Sequence, residues 1–475
     1  MTNILYTVVG KYLNIFGFIG FLYFLINEKN ENAFIYGALF LLFYLLSLVV
    51  FRKISSIFIK LNFIFFYLGY LLSMPIIFYN ADKYTHKGWR GIGSYNFEYS
   101  QTLDAAIIFA NYITLFVFVS LIIDRIFLKP YRLNLNVETS NYFDKLSRFS
   151  NYSPVLVFLI VSQIFLSFIM FQYSIGIVGI QPENLSFRIS GILYYYRYFV
   201  IPIFIFLLLF SNFKKKNYIV LFLILLEILS AGVFSVSRAL IILHSLPVVL
   251  FLIAQNRKKM LSLVLVFIIF CLSVATISRD FVYSVEDFHQ VEFLEAFDMS
   301  LLFSKMGFVL IFDTISTIIL RAKGIYEFLA TFYSGVEYVN INLFLKNTIG
   351  FFWLDYGGFS PALDVFNISL PKNYAFGMDL DNLSYLFLSA NSSLEVLALV
   401  SLWVFSLIAV EKIVGYVAIN HINKAEFLIF LNFYYILWHI HPAIRAALIV
   451  VTLLLAFYRF LRGSYIKDLS LEKKK

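Results

Sequence analysis

Cysteine is all but missing from this chain: Cys271 stands alone, inside an apolar run. A single thiol excludes an intrachain disulfide and any thiolate metal cluster. Charge is also scarce, at 14% of 475 residues, where a soluble globular protein carries about a quarter. That shortage excludes a soluble enzyme and a disordered scaffold. No glycine-rich phosphate loop and no nucleotide-binding motif occurs, and the basic segments leave no room for a soluble domain. An ATP-driven pump is therefore not expected from this chain alone. The surplus of Lys and Arg gives a net charge of +9, yet it does not indicate a nucleic-acid binder. In so apolar a chain, basic residues are first topology signals, because they collect on the cytoplasmic side of membrane segments.

What is abundant is apolar and aromatic surface: 61% of residues are hydrophobic and 20% aromatic. A helix needs about 20 apolar residues to cross the hydrocarbon core. Twelve stretches qualify, near 4–26, 33–51, 57–79, 103–123, 154–175, 192–211, 218–235, 239–255, 260–278, 390–410, 426–440 and 442–460. The first has no charged start and no small-x-small cleavage site, so it is expected to be a span rather than a signal peptide. With the amino terminus inside, the short cytoplasmic segments collect Arg52 and Lys53, Arg125 to Arg148, Lys214 to Lys216, Arg257 to Lys259, Lys412, Lys424 and a basic tail ending at Lys475. The short external segments hold only Lys29, Lys83, Lys87, Arg90, Arg188 and Arg238. The expectation is an all-α polytopic transmembrane bundle of about 12 spans with both termini cytoplasmic. It divides into helices 1–9 over residues 1–278, a long external loop over 279–389, and helices 10–12 with the tail over 390–475. Within the loop, 301–320 is apolar but carries Lys305, Asp313 and Ser316, which suits a helix lying on or dipping into the membrane. Were 301–320 and 338–354 both to cross, the sidedness of later helices would be unchanged. The rest of the loop is turn-rich, as in Tyr356-Gly357-Gly358.

Ionisable residues in spans cost roughly 2.5–3.5 kcal/mol each at the bilayer centre and are usually paired or functional. Arg188, Arg197, Arg238, Arg279 and Arg445 all fall near external ends of spans, against the overall bias. Guanidinium binds phosphate bidentately and stays charged, so these arginines suit an anion site at the outer face, where a lipid diphosphate presents itself. The plainer reading is that they reach lipid headgroups or pair with Asp280, Glu227 or Asp298. Glu227, about three turns before Arg238, suits an internal ion pair better than a proton relay. Asp379-Leu380-Asp381 has carboxylate-motif spacing or caps the next helix. His289, in a polar stretch with Glu292, offers a general base or a solvated helix face. His439 and His441 have no third ligand in view, so no metal is expected. Trp353, Tyr356 and Tyr374 are candidates to stack on sugar rings.

Several short segments carry a family resemblance. Ser235-Val236-Ser237-Arg238-Ala239-Leu240 resembles the Gly-Ser-Arg-Gly turn of the Wzy-type O-antigen polymerases, with Val236 and Ala239 where glycines are usual. Leu370-Pro371-Lys372 with Tyr374 to Gly377 resembles that family's loop segment, and Ser392 to Ser406 its entry into the next span. The resemblance implies a bacterial inner-membrane glycosyltransferase that joins oligosaccharide repeat units carried on undecaprenyl diphosphate. It implies no cofactor and no metal, since the leaving diphosphate already carries the energy. Arg188, Arg197, Arg238, Arg279 and Arg445 would hold the diphosphate. His289, with Asp379 or Asp381 behind it, would accept the acceptor hydroxyl's proton. Expected partners are the lipid-linked oligosaccharides and membrane lipids, with a chain-length regulator left open and no nucleic acid. Rival readings are an O-antigen ligase-like transferase using the same donor, a lipid-linked oligosaccharide flippase, and an acyl- or phospho-transferase. The large external loop and the lack of an internal repeat weigh against the flippase.

Overall fold

The computed structural model describes residues 2–26, 31–80, 99–127, 153–175, 189–197, 201, 218–235, 238–254, 257–284, 325–336, 340–349, 365, 382–418, 434, 448–449, 452–454 and 456. Among these residues the regular structure is helical and no strand occurs. The helices are α1 (Thr2–Ile26), α2 (Glu31–Lys53), α3 (Ile57–Asn80), α4 (Tyr99–Phe127), α5 (Ser153–Gln172), α6 (Ile189–Tyr195), α7 (Tyr218–Ser235), α8 (Arg238–Ala254), α9 (Lys258–Ser284), α10 (Ile325–Ser334), α11 (Ile341–Phe344, widening into a π turn over Leu345–Ile349), α12 (Asn382–Ser389) and α13 (Ser393–Ala418). Four stretches, Asn32–Lys53, Thr102–Phe127, Lys258–Thr276 and Ser393–Tyr416, are long and apolar enough to cross a membrane. Shorter apolar stretches occur at Leu13–Ile26, Ile57–Leu71, Val161–Gln172 and Leu240–Ile253.

Helix ends follow local chemistry. α2 closes on Arg52 and Lys53, whose charge suits the negative end of the helix dipole. α5 ends in a turn in which the Ile175 amide donates to the Met170 carbonyl (2.7 Å) and the Ser174 amide to that of Phe171 (3.0 Å). Ser174 there adopts the left-handed conformation, with φ 54°, at the position glycine usually fills. Pro247 stands inside α8, where it cannot donate the usual amide bond to Leu243.

Packing sorts the helices by contact. α1 lies along α2, and α2, α3, α4 and α13 surround a core into which α10 and α12 also pack. Its centre is aromatic: Phe24 stacks on Phe40 at 5.3 Å, Phe40 meets Tyr70 in a tilted contact at 4.9 Å, and Phe43 stacks on both Tyr70 and Tyr67, at 4.5 and 5.5 Å. In lipid, tails compete equally well for apolar side chains, so close fit rather than water exclusion holds helices together. Gly20 supplies such fit, because a Cβ there would stand 2.7 Å from a ring carbon of Phe40. Trp403 of α13 is fully buried between Phe116 and Phe66, at 4.8 and 5.9 Å.

A second core joins α7, α8 and α9 through Ile224, Ile228, Ile241, Val248, Val264 and Cys271. α5 packs on α7 and on α6. α8 belongs to both cores: Leu240, Leu243 and Phe251 face the first, Ile241, Val248 and Leu252 the second. α10 and α12 come from the segment read as an external loop with interfacial or re-entrant helices, and their Phe328, Leu329 and Leu386 are fully buried in the first core. The stretch 301–320 lies outside the described residues.

Candidate functional site

A buried group of charged and polar side chains sits where α5, α6, α7 and α8 meet. α7 is a run of aliphatic residues broken by Glu227. α8 is similar and is broken by His244. Arg197 lies just past α6, where the chain widens into a π turn. Each of these residues is isolated among apolar neighbours, so each must find its partner on another helix.

They find one another. Arg197 Nη1 lies 2.9 Å from Glu227 Oε1, with the two side chains 0% and 7% exposed. The same Nη1 donates to Gln163 Oε1 of α5 at 2.9 Å. His244 is fully buried; its Nδ1 is 3.4 Å from Glu227 Oε1 and its Nε2 is 3.2 Å from the main-chain carbonyl of Arg197. Because Nε2 faces a carbonyl, it carries the hydrogen and donates. Nδ1 then stands beside the Glu227 carboxylate, at a distance beyond that of an ordinary hydrogen bond. Ser230 Oγ donates to the Glu227 carbonyl at 3.0 Å and reaches Oε2 at 3.3 Å. One guanidinium and one carboxylate cancel in charge, which is what makes their joint burial tolerable.

A second polar group gathers at the start of α3. The α2–α3 turn presents bare amides at the start of α3. Asp124 of α4 accepts from the Ser55 and Ser56 amides at 2.9 and 3.0 Å. Glu411 of α13 accepts from the Ile57 and Phe58 amides at 3.1 and 3.0 Å and from Ser56 Oγ at 2.5 Å. Two carboxylates thus cap one helix start, where the helix dipole favours negative charge. Lys60 is buried beside them. This group ties α3, α4 and α13 together. Among the described residues no group of three His, Cys, Asp or Glu side chains is arranged to hold a metal ion.

Of the arginines singled out by the sequence, Arg197 alone has a described side chain, and it is enclosed and ion-paired. Arg238 is the first residue of α8 and Arg279 lies within α9, but their side chains lie outside the described set. Arg188, Arg445, His289, Asp379 and Asp381 lie outside the described residues altogether, as do His439 and His441. Glu227 is in an internal ion pair, and its partner is Arg197. His244, Gln163, Asp124 and Glu411 were not singled out by the sequence. A signal for the first existed: a lone histidine in an apolar helix adjoining one with a lone glutamate. Neither a protein-family model, nor a curated protein, nor a solved structure matches this chain.

Proposed function

We propose that this chain is a multi-pass protein of the bacterial inner membrane, with about twelve spans and both termini cytoplasmic, that polymerises undecaprenyl-diphosphate-linked oligosaccharide repeat units into O-antigen or a related surface polysaccharide. The observation that carries the reading is the place of Arg238. α7 ends at Ser235 and α8 begins at Arg238, so the arginine heads an apolar helix after a two-residue connection. Arg238 belongs to the segment Ser235 to Leu240 that resembles the polymerase turn. A helix start adds bare amides and a positive dipole end to the guanidinium, and both favour a phosphate. The basic run Arg257 to Lys259 follows the opposite end of α8, which favours the cytoplasm for that end and the outside for Arg238.

The chemistry is a glycosyl transfer. The acceptor hydroxyl oxygen forms a bond to the anomeric carbon of the donor glycan. The bond from that carbon to the lipid diphosphate oxygen breaks, and the diphosphate leaves with the electron pair. Fixed cations that meet this growing charge lower the barrier, so arginines supply what the step needs. Arg188, Arg238, Arg279 and Arg445 are the proposed diphosphate contacts, with Arg197 holding the interior behind them. His289, with Asp379 or Asp381, is the proposed acceptor of the hydroxyl proton.

The test is Arg238→Ala in cells that carry the variant at parental level. Long-chain polysaccharide should fall about 100-fold or more, as when one oxyanion-binding donor is removed from an enzyme. Undiminished chain length would refute the assignment. Deleting the gene separates the nearest rival: single repeats left on the lipid core indicate a polymerase, and a bare core indicates a ligase-like transferase.

A further inference from the structure

The α7–α8 pair is joined mainly by aliphatic side chains: Leu221, Ile224 and Ile228 from one helix, Ile241, Val248 and Leu252 from the other. Such surfaces hold helices together while permitting alternative rotations of similar energy. Two contacts remove that freedom. At Gly232 a Cβ would stand 2.6 Å from Ile241 Cδ1, so the helices approach closely near the turn. One level deeper, Glu227 meets His244 at 3.4 Å, and His244 in turn holds the backbone of Arg197. Arg197 then reaches back to Glu227 and across to Gln163. Four segments are tied at one depth, about 9 Å of rigid helix below the start of α8.

We propose that Glu227 and His244 are positioning residues, which together with Arg197 and Gln163 fix the rotation and depth of α8 and so set where Arg238 stands. The inference rests on Arg238 being a diphosphate contact, as proposed above. Two charges buried in an apolar interface seldom out-stabilise well-packed apolar side chains, whereas they do single out one arrangement of the helices. Hydrogen-bonded polar side chains specify rotation because each bond is satisfied at one angle only.

The experiment uses the full chain with Cys271→Ser, and Phe222→Cys with Ile242→Cys as spin-label sites. Those two side chains are exposed on α7 and α8, at 60% and 40%. Pulsed dipolar spectroscopy in lipid nanodiscs should give one narrow distance for the parent. Glu227→Leu or His244→Leu should broaden or displace it, and His244→Gln, which can still donate to the Arg197 carbonyl, should restore much of it. In cells the same leucine variants should lose long-chain polysaccharide, by about 100-fold where Arg238 moves by about 1 Å. If Glu227→Leu does not accumulate, the double variant Arg197→Met with Glu227→Leu, which removes both charges, serves instead. An unchanged narrow distance in the leucine variants overturns the proposal. So does a displaced α8 with normal polysaccharide in cells where Arg238→Ala abolishes it. A displaced α8 together with an inert Arg238→Ala supports the positioning role and removes the polymerase reading, so the two failures are told apart.

Discussion

Arg197 Nη1 and Glu227 Oε1 stand 2.9 Å apart inside the helical assembly, joining the end of α6 to the middle of α7. Neither charge has water to fall back on, so the pair behaves as a unit. Replacing one member leaves the other charged and buried, at a cost of about 3–5 kcal/mol. Glu227→Leu and Arg197→Met should each lower the unfolding midpoint of the detergent-solubilised protein sharply. The double variant should lose much less than the two losses added. Additive losses in that cycle would show that the two side chains do not act together.

The cap on α3 predicts an order of effects. Glu411 accepts three hydrogen bonds at this helix start and Asp124 two. Bonds to a charged acceptor are worth about 1.5–3 kcal/mol each at most, and less where water replaces them. Glu411→Ala should therefore destabilise more than Asp124→Ala, and both should expose the α2–α3 turn to added protease. Equal resistance of both variants and parent would dismiss the cap as a determinant of that turn.

Three glycines should respond to alanine in three ways. Gly191, within α6, has nothing within 4 Å of an added Cβ, so Gly191→Ala should stabilise by up to about 1 kcal/mol through helix propensity. Gly335 also has open space, but its φ is +63°, so Gly335→Ala should cost about 1 kcal/mol from the backbone alone. Gly232→Ala drives a methyl group into Ile241 and should cost about 1–3 kcal/mol. Thermal unfolding of the three variants side by side checks the ranking.

Arg238→Lys separates charge from geometry. Lysine keeps the positive charge but lacks the planar fork that grips two phosphate oxygens at once. If Arg238 is the diphosphate contact proposed above, polysaccharide length in cells carrying Arg238→Lys should fall between parent and Arg238→Ala. Full activity in the lysine variant would mean that a point charge at the head of α8 is enough.

The helices were the most legible part. The apolar stretch 218–235 is α7 to the residue, and 239–255 is α8 displaced by one, because long, mostly apolar runs bounded by basic or polar residues leave few alternatives. α9 runs to Ser284, beyond the end expected at 278, since the extension opens on the charged pair Arg279-Asp280, which breaks the apolar run. The segment 279–389 read as an external loop with interfacial or re-entrant helices, whose polar and turn residues leave the helix positions undefined. Only packing shows that α10 and α12 are buried in the first core.

The sequence by itself determined that this is a helical chain with membrane-length apolar segments, and that its few charged residues in apolar helices must find partners. Both follow from composition and local spacing, which are one-dimensional properties. It did not determine which partners. Glu227 stood three turns from Arg238 along the chain, yet its ion pair is with Arg197, thirty residues upstream. The choice depends on which helices adjoin and at what rotation. Close approach of the kind seen at Gly232 and Ile241 decides that, and it exists only once the helices have packed.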